Sequence, residues 1–341
     1  MKNIFLLVFT CAALFQTQAY SQIINSNPHQ SYSENAKQII WPQLIELSEM
    51  LTKFDSETLP HETKLLRKKV GYCRFFIDLF VFTYPIDSPE TDYWARYRKI
   101  LDEGYGTLGD YKDLFDIMDK KSDEIFAEDY DQRILKKLNK KVQKWIKQFH
   151  QENRHEKAKI FWENPLHNYT IIRPQNKISK IIWSQVKTPK LSLNLHQILR
   201  KIAYDWLLTL KENQSRVFSI HNIYPHGQQE VFHNYRKKMR YLVRLNEFFP
   251  FLSRNSEDLV ESFQLLDQFV KKFGNLNDHL TAHTYLLEKI EINNSETYQV
   301  YLEDLQNKKK KIDQAWESLK EQYNPKLLNL HFSRLLTYFE K

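Results

Sequence analysis

Apolar side chains recur along this chain at three- and four-residue spacing, while the strict alternation of a half-buried strand is nearly missing. That period predicts helices near residues 33–54, 61–83, 91–120, 127–152, 195–215, 229–249, 255–290, 296–323 and 326–339. The least regular stretch, Asn164 to Pro189, reads as the connection between two halves. With only six glycines and 11 prolines in 341 residues, little interrupts the pattern, and the expected class is all-α.

Residues 232–249, "FHNYRKKMRYLVRLNEFF", carry the period most plainly. At about 100° of rotation per residue, Arg236, Lys237, Arg240 and Arg244 fall within about 60° of His233. Phe232, Tyr235, Met239, Leu242, Val243, Leu245 and Phe249 take the remaining arc, as on a helix with one face in a core. A solvated face alone explains charges opposite an apolar stripe. Crowding of one sign is different: like charges three and four residues apart repel by a few tenths of a kcal/mol per pair, and only Glu247 interleaves here. Such a stripe calls for an anionic partner.

The chain also repeats itself. Residues 64–80, "KLLRKKVGYCRFFIDLF", align without gaps on 233–249, placing Arg67 on Arg236, Lys68 on Lys237 and Phe80 on Phe249. Farther along, "LGDYKD" (108–113) answers "FGNLND" (273–278), with Gly109 on Gly274 and Asp113 on Asp278. The offsets, 169 and 165 residues, are nearly equal. Each half therefore reads as a helical bundle whose second helix is basic and whose third carries Gly-x-x-x-Asp. The glycine suits a close helix crossing or marks a break between two shorter helices. Asp113 and Asp278 are expected either to pair with the cations and histidine of the basic helix or to cap a helix.

A His-x-x-Arg helix with further cations, followed by a Leu-Gly-x-x-Arg/Asn-Asp motif, twice in one helical chain, resembles the CHAD domain, the "conserved histidine α-helical domain". The motifs fit best in the second half, at "FHNYRKKMRY" and "FGNLNDHL". The resemblance covers nearly the whole chain after the first 21 residues. It implies an internally duplicated pair of four-helix bundles with pseudo-twofold symmetry, residues 33–190 and 191–341, whose basic helices face a groove that binds inorganic polyphosphate. Carried over position by position, the implied ligand-binding residues are Lys64, Arg67, Lys68 and Arg74 in the first half and His233, Arg236, Lys237, Arg240 and Arg244 in the second, supported by Asp113 and Asp278. This chain departs from the pattern at Lys64, which replaces a histidine although His61 lies one turn earlier, and at Gly71, where a cation is expected.

Residues 1–21 change the compartment. Lys2, the apolar run from Ile4 through Phe15 and the small residues of Ala19-Tyr20-Ser21 read as a secretory signal, so the protein is expected to be exported, periplasmic or secreted. Thr10 and the short run ahead of Cys11 argue against a lipidated cysteine. Removing the segment takes away Lys2 and no acid, moving the formal charge from +8 to +7, and leaves Cys73 without a disulfide partner. No later stretch has the length and apolarity of a membrane span.

Polyphosphate carries about one charge per phosphate, which arginine forks can grip two oxygens at a time. Tyr72 and Tyr241 align between the halves and could donate to phosphate or simply fill the bundle rim. Lys137, Lys140, Lys141 and Lys144 share a face of a second cationic stretch, either solvated or an extension of the footprint, and Lys271 and Lys272 are similar candidates. His279 and His283 have a metal-compatible spacing, but HExxH is missing and no second carboxylate cluster stands nearby. Neither a phosphate-cradling glycine loop, nor Gly-x-Ser-x-Gly, nor Cys-x-x-Cys-His occurs. A non-catalytic binder without cofactor or metal is expected, the alternative being an envelope scaffold that grips an acidic protein. Which reading gains depends on whether Arg67, Arg74, Arg236, Arg240 and Arg244 share one concavity.

Overall fold

A computed structural model describes residues 32–54, 59–80, 89–119, 128–152, 194–292 and 298–340. The signal-like segment, Cys11 and the connection from Asn164 to Pro189 lie outside them. The described residues are all helical, with no strand among them. The helices are α1 (Tyr32–Thr52), α2 (Leu59–Phe80), α3 (Pro89–Asp119), α4 (Glu128–Glu152), α5 (Leu195–Phe218), α6 (His226–Phe248), α7 (Glu257–Ile292), α8 (Tyr298–Gln322) and α9 (Pro325–Glu340), with a 3-10 turn at Pro250–Leu252 after α6.

Polar side chains mark where several helices begin. Asn194 Oδ1 accepts from the Gln197 amide at 3.0 Å while Gln197 Oε1 accepts from the Asn194 amide at 3.1 Å, a reciprocal cap that satisfies two otherwise orphaned donors at the start of α5. Asn324 Oδ1 accepts from the Leu327 amide at 3.1 Å, with Pro325 opening α9 where its missing N–H is harmless. Gly109 and Gly274 lie inside the unbroken helices α3 and α7.

Consecutive helices of α1–α4 are neighbours. So are α5, α6, α7 and α8, and α9 returns against both α5 and α7, so this group has the five helices that the periodicity predicts, one more than the resemblance implies. The apolar arc of α6 faces inward as its spacing requires: Phe232, Tyr235, Met239, Leu242, Leu245 and Phe249 are buried, and Val243 is partly buried. Phe232 stacks on Phe273 with centroids 4.2 Å apart, and Phe269 lies 4.1 Å from the same ring. Burying one such ring contributes roughly 1.5–3 kcal/mol.

Direct contacts between α3 and α7 and between α1 and α5 join the two groups. Phe75 and Phe76 of α2 pack on Phe248, and Phe75 also meets Trp206 and Tyr241 edge-on. One cluster of buried apolar residues therefore runs through both groups. It brings α2 and α6 side by side and aims their polar faces at a common space.

Candidate functional site

The shared space is a recess of about 300 Å³ between α2, α3, α6 and α7. From α6 it is lined by His233, Arg236, Lys237, Arg240 and Arg244, the stripe that helical periodicity predicts. Arg67 and Arg74 enter from α2. Six fixed cations thus face three carboxylates, Asp102, Asp113 and Asp278. The five arginines named beforehand share one concavity. Lys64 and Lys68 do not line it: both are exposed, and the Lys68 ammonium lies over the Tyr72 ring, 5.4 Å from its centroid.

Two glycines set how close the helices come. A Cβ on Gly109 would stand 2.8 Å from Arg67 Nη2, and a Cβ on Gly274 would stand 2.9 Å from Arg236 Nη2. Each guanidinium lies across the bare backbone of the neighbouring helix. Gly71 makes room of another kind, because its Cβ would meet Tyr105 at 3.1 Å and Arg244 Nη2 at 3.3 Å. Arg244 uses that room to donate from Nη1 to the Gly71 carbonyl at 3.1 Å. The missing cation at position 71 is thereby replaced by one reaching over from α6.

The cations differ in how well they are balanced. Arg74 is buried and ion-paired with Asp102. Asp102 is shared with Arg98, which also forks onto Asp78 at 2.6 and 2.8 Å. By contrast, Arg67, Arg236, Arg240 and Arg244 form no ion pair with any described residue. The buried Nε atoms of Arg67 and Arg236 have no hydrogen-bond partner there either. Burial, reinforced by Arg240, lowers the Arg236 guanidinium to about 10, with Asp278 pulling the other way. Burial and then Arg240 lower Arg244, and burial and then Arg74 lower Lys237. Desolvation followed by the neighbouring Arg236 also lowers His233, opposed by the Asn277 side chain. Burial leads in each of these shifts, and the neighbouring positive charge adds to it.

The supporting aspartates sit at the recess without the pairing expected of them. Asp113 pairs with its neighbour Lys112 at 3.3 Å, and Asp278 acts on Arg236 through space. Both lie inside helices, so neither caps one. Asn277, next to Asp278, is the polar side chain of α7 that acts on His233. The hydroxyls of the aligned tyrosines are used between helices: Tyr72 donates to Glu247 Oε1 at 3.1 Å, and Tyr241, which also lines the recess, to Asp78 Oδ2 at 3.0 Å.

Tyr105, like Asp102, Gly106 and Asn277, is a lining residue that periodicity did not single out. It sits one helical turn before Gly109, and its aromatic character among small residues is its only mark in the sequence. The further lysines remain apart from the recess. Lys137, Lys140, Lys141 and Lys144 are exposed on α4, Lys271 pairs with Asp267 at 2.7 Å, and Lys272 bonds Gln322. His283 is buried against the Tyr224 ring, and the described residues hold no group of three or more side chains suited to a metal ion. No described helix is long and apolar enough to cross a membrane.

No family model matches the chain, and no curated protein and no solved structure matches it either.

Proposed function

We propose that this chain is an exported, internally duplicated, CHAD-like protein that binds inorganic polyphosphate or a similar linear polyanion in the recess, without catalysing its turnover. The observation that carries the reading is the convergence of Arg67, Arg236, Arg240 and Arg244 on one concavity, none of them ion-paired with a described residue. Guanidiniums desolvated beside one another repel, and a chain of phosphates offsets that repulsion with about one charge per unit while offering each fork two oxygens. Arg67 lying on Gly109 as Arg236 lies on Gly274 supports the duplication, and so does the match between the second and third helices of the two groups.

The test is a titration of the mature protein with polyphosphate of defined lengths at low and physiological salt, against DNA and heparin as competitors. The expected result is tight, length-dependent binding that prefers polyphosphate and weakens steeply with salt as counterions are released. The triple variant Arg236→Gln, Arg240→Gln, Arg244→Gln should lose it while keeping its helical circular dichroism. Binding that ignores the polymer and vanishes at physiological salt would overturn the ligand and direct the search to an acidic protein. Unchanged affinity in the triple variant would overturn the site.

A further inference from the structure

Tyr105 stands where the cations of the two groups meet. Its ring lies under the Arg74 guanidinium, 4.3 Å from the centroid, and under that of Arg67 at 4.7 Å, both reaching it from α2. On the other side Arg240 of α6 donates from Nη1 to the Tyr105 hydroxyl at 3.3 Å. Gly71 brings the α2 backbone so near that a single methyl group there would crowd the ring. One side chain from α3 thus touches arginines of both helices that supply the recess.

We propose that Tyr105 is a positioning residue of the polyanion site, its ring a platform for the α2 arginines and its hydroxyl the tie that registers Arg240 against them. The assignment rests on the polyanion reading. The negative face of an aromatic ring attracts a guanidinium and, out of water, does so strongly enough to fix its plane, which decides whether two forks can grip neighbouring phosphates. Rotamer freedom removed before the ligand arrives is not lost again on binding. Burial alone would raise the hydroxyl's proton affinity, but Arg67, Arg240, Arg244 and Arg74 reverse that and hold it below its ordinary value. Arg236 also feels Tyr105, while Asp102 and Asp113 on the same helix and Asp278 on α7 are the carboxylates that share the space. An anion seated among these cations must therefore push the hydroxyl's titration upward.

Two variants and one spectroscopic signal test this. In Tyr105→Phe the platform stays and the tie goes; in Tyr105→Leu both go. Polyphosphate affinity should fall about tenfold or more in Tyr105→Leu, about 1.4 kcal/mol, with Tyr105→Phe recovering most of the loss. The alkaline ultraviolet difference between wild type and Tyr105→Phe isolates this one tyrosine, which should ionise before buried Tyr111, Tyr235 and Tyr241 and shift upward when polyphosphate is added. If wild type binds and Tyr105→Leu binds equally well, or if bound polyphosphate leaves the Tyr105 titration unmoved, the assignment is overturned. A wild type that binds no polyphosphate overturns the ligand instead. The platform is then judged by the titration alone, and late ionisation of Tyr105 overturns it.

Discussion

The Tyr241 hydroxyl donates to Asp78 at 3.0 Å across 163 residues of chain, tying α6 to α2 beneath the recess. Tyr72 returns the gesture, donating to Glu247 at 3.1 Å. Under the 169-residue offset Tyr72 aligns with Tyr241 and Asp78 with Glu247, so each helix gives a phenol and takes one at matching positions. Removing the better-buried of these bonds should be felt. Tyr241→Phe is expected to lower stability by about 1 kcal/mol, and Tyr72→Phe by less because Glu247 is exposed. Urea denaturation of both variants gives the comparison.

Gly109→Ala and Gly274→Ala separate helix propensity from site geometry. In a helix interior the exchange alone would add about 1 kcal/mol of stability. Here the new methyl group would stand under 3.0 Å from Arg67 or Arg236 and push the guanidinium aside. Stability near or above wild type with polyphosphate affinity reduced several-fold is the expected pair of results, read by thermal unfolding and by titration.

On the polyanion reading, His233 should make binding depend on pH. Desolvation and Arg236 hold its imidazole below the usual histidine range, so the free recess resists protonating it. A bound polyanion favours the charged form and raises the value, so binding takes up a proton and affinity grows as pH falls through the interval between the two. His233→Gln should flatten that rise, measured by titration in matched buffers across the acidic range.

Asp205 offers a test of stability away from the site. It is 3% exposed, both of its carboxylate oxygens lack a partner among the described residues, and burial pushes it up to about 6 against a weaker opposing effect of Lys201. Between an unfolded value near 4 and this folded one, the native state holds the extra proton, so stability falls as pH rises and the full penalty is present at neutrality. Asp205→Asn should stabilise the protein by between about 1 and 3 kcal/mol at pH 7 and by little at pH 4. Chemical denaturation at both values decides it.

The stripe on α6 was legible because helical rotation alone decides which residues share a face, and the core arc opposite it follows from the same period. Helix positions were legible to within a few residues for that reason too. What periodicity could not supply is which helix lies opposite. Asp102, which balances Arg74, and Arg98, which shares that carboxylate, sit on α3 with no spacing signal linking them to α2. Asp278 drew attention through its motif, yet Asn277 beside it is the residue that acts on His233, a distinction set by the rotation of α7. Tyr105 escaped notice because its role exists only once α2, α3 and α6 have met.

Gly71 carries no charge, yet it governs one. A Cβ there would press on Tyr105 and on Arg244, the side chain that bonds the Gly71 carbonyl. The two walls of the recess have therefore divided their labour: α6 supplies most of the cations, and α2 supplies the vacancy that lets the last of them in. How much charge the recess presents is decided partly at a position that contributes none.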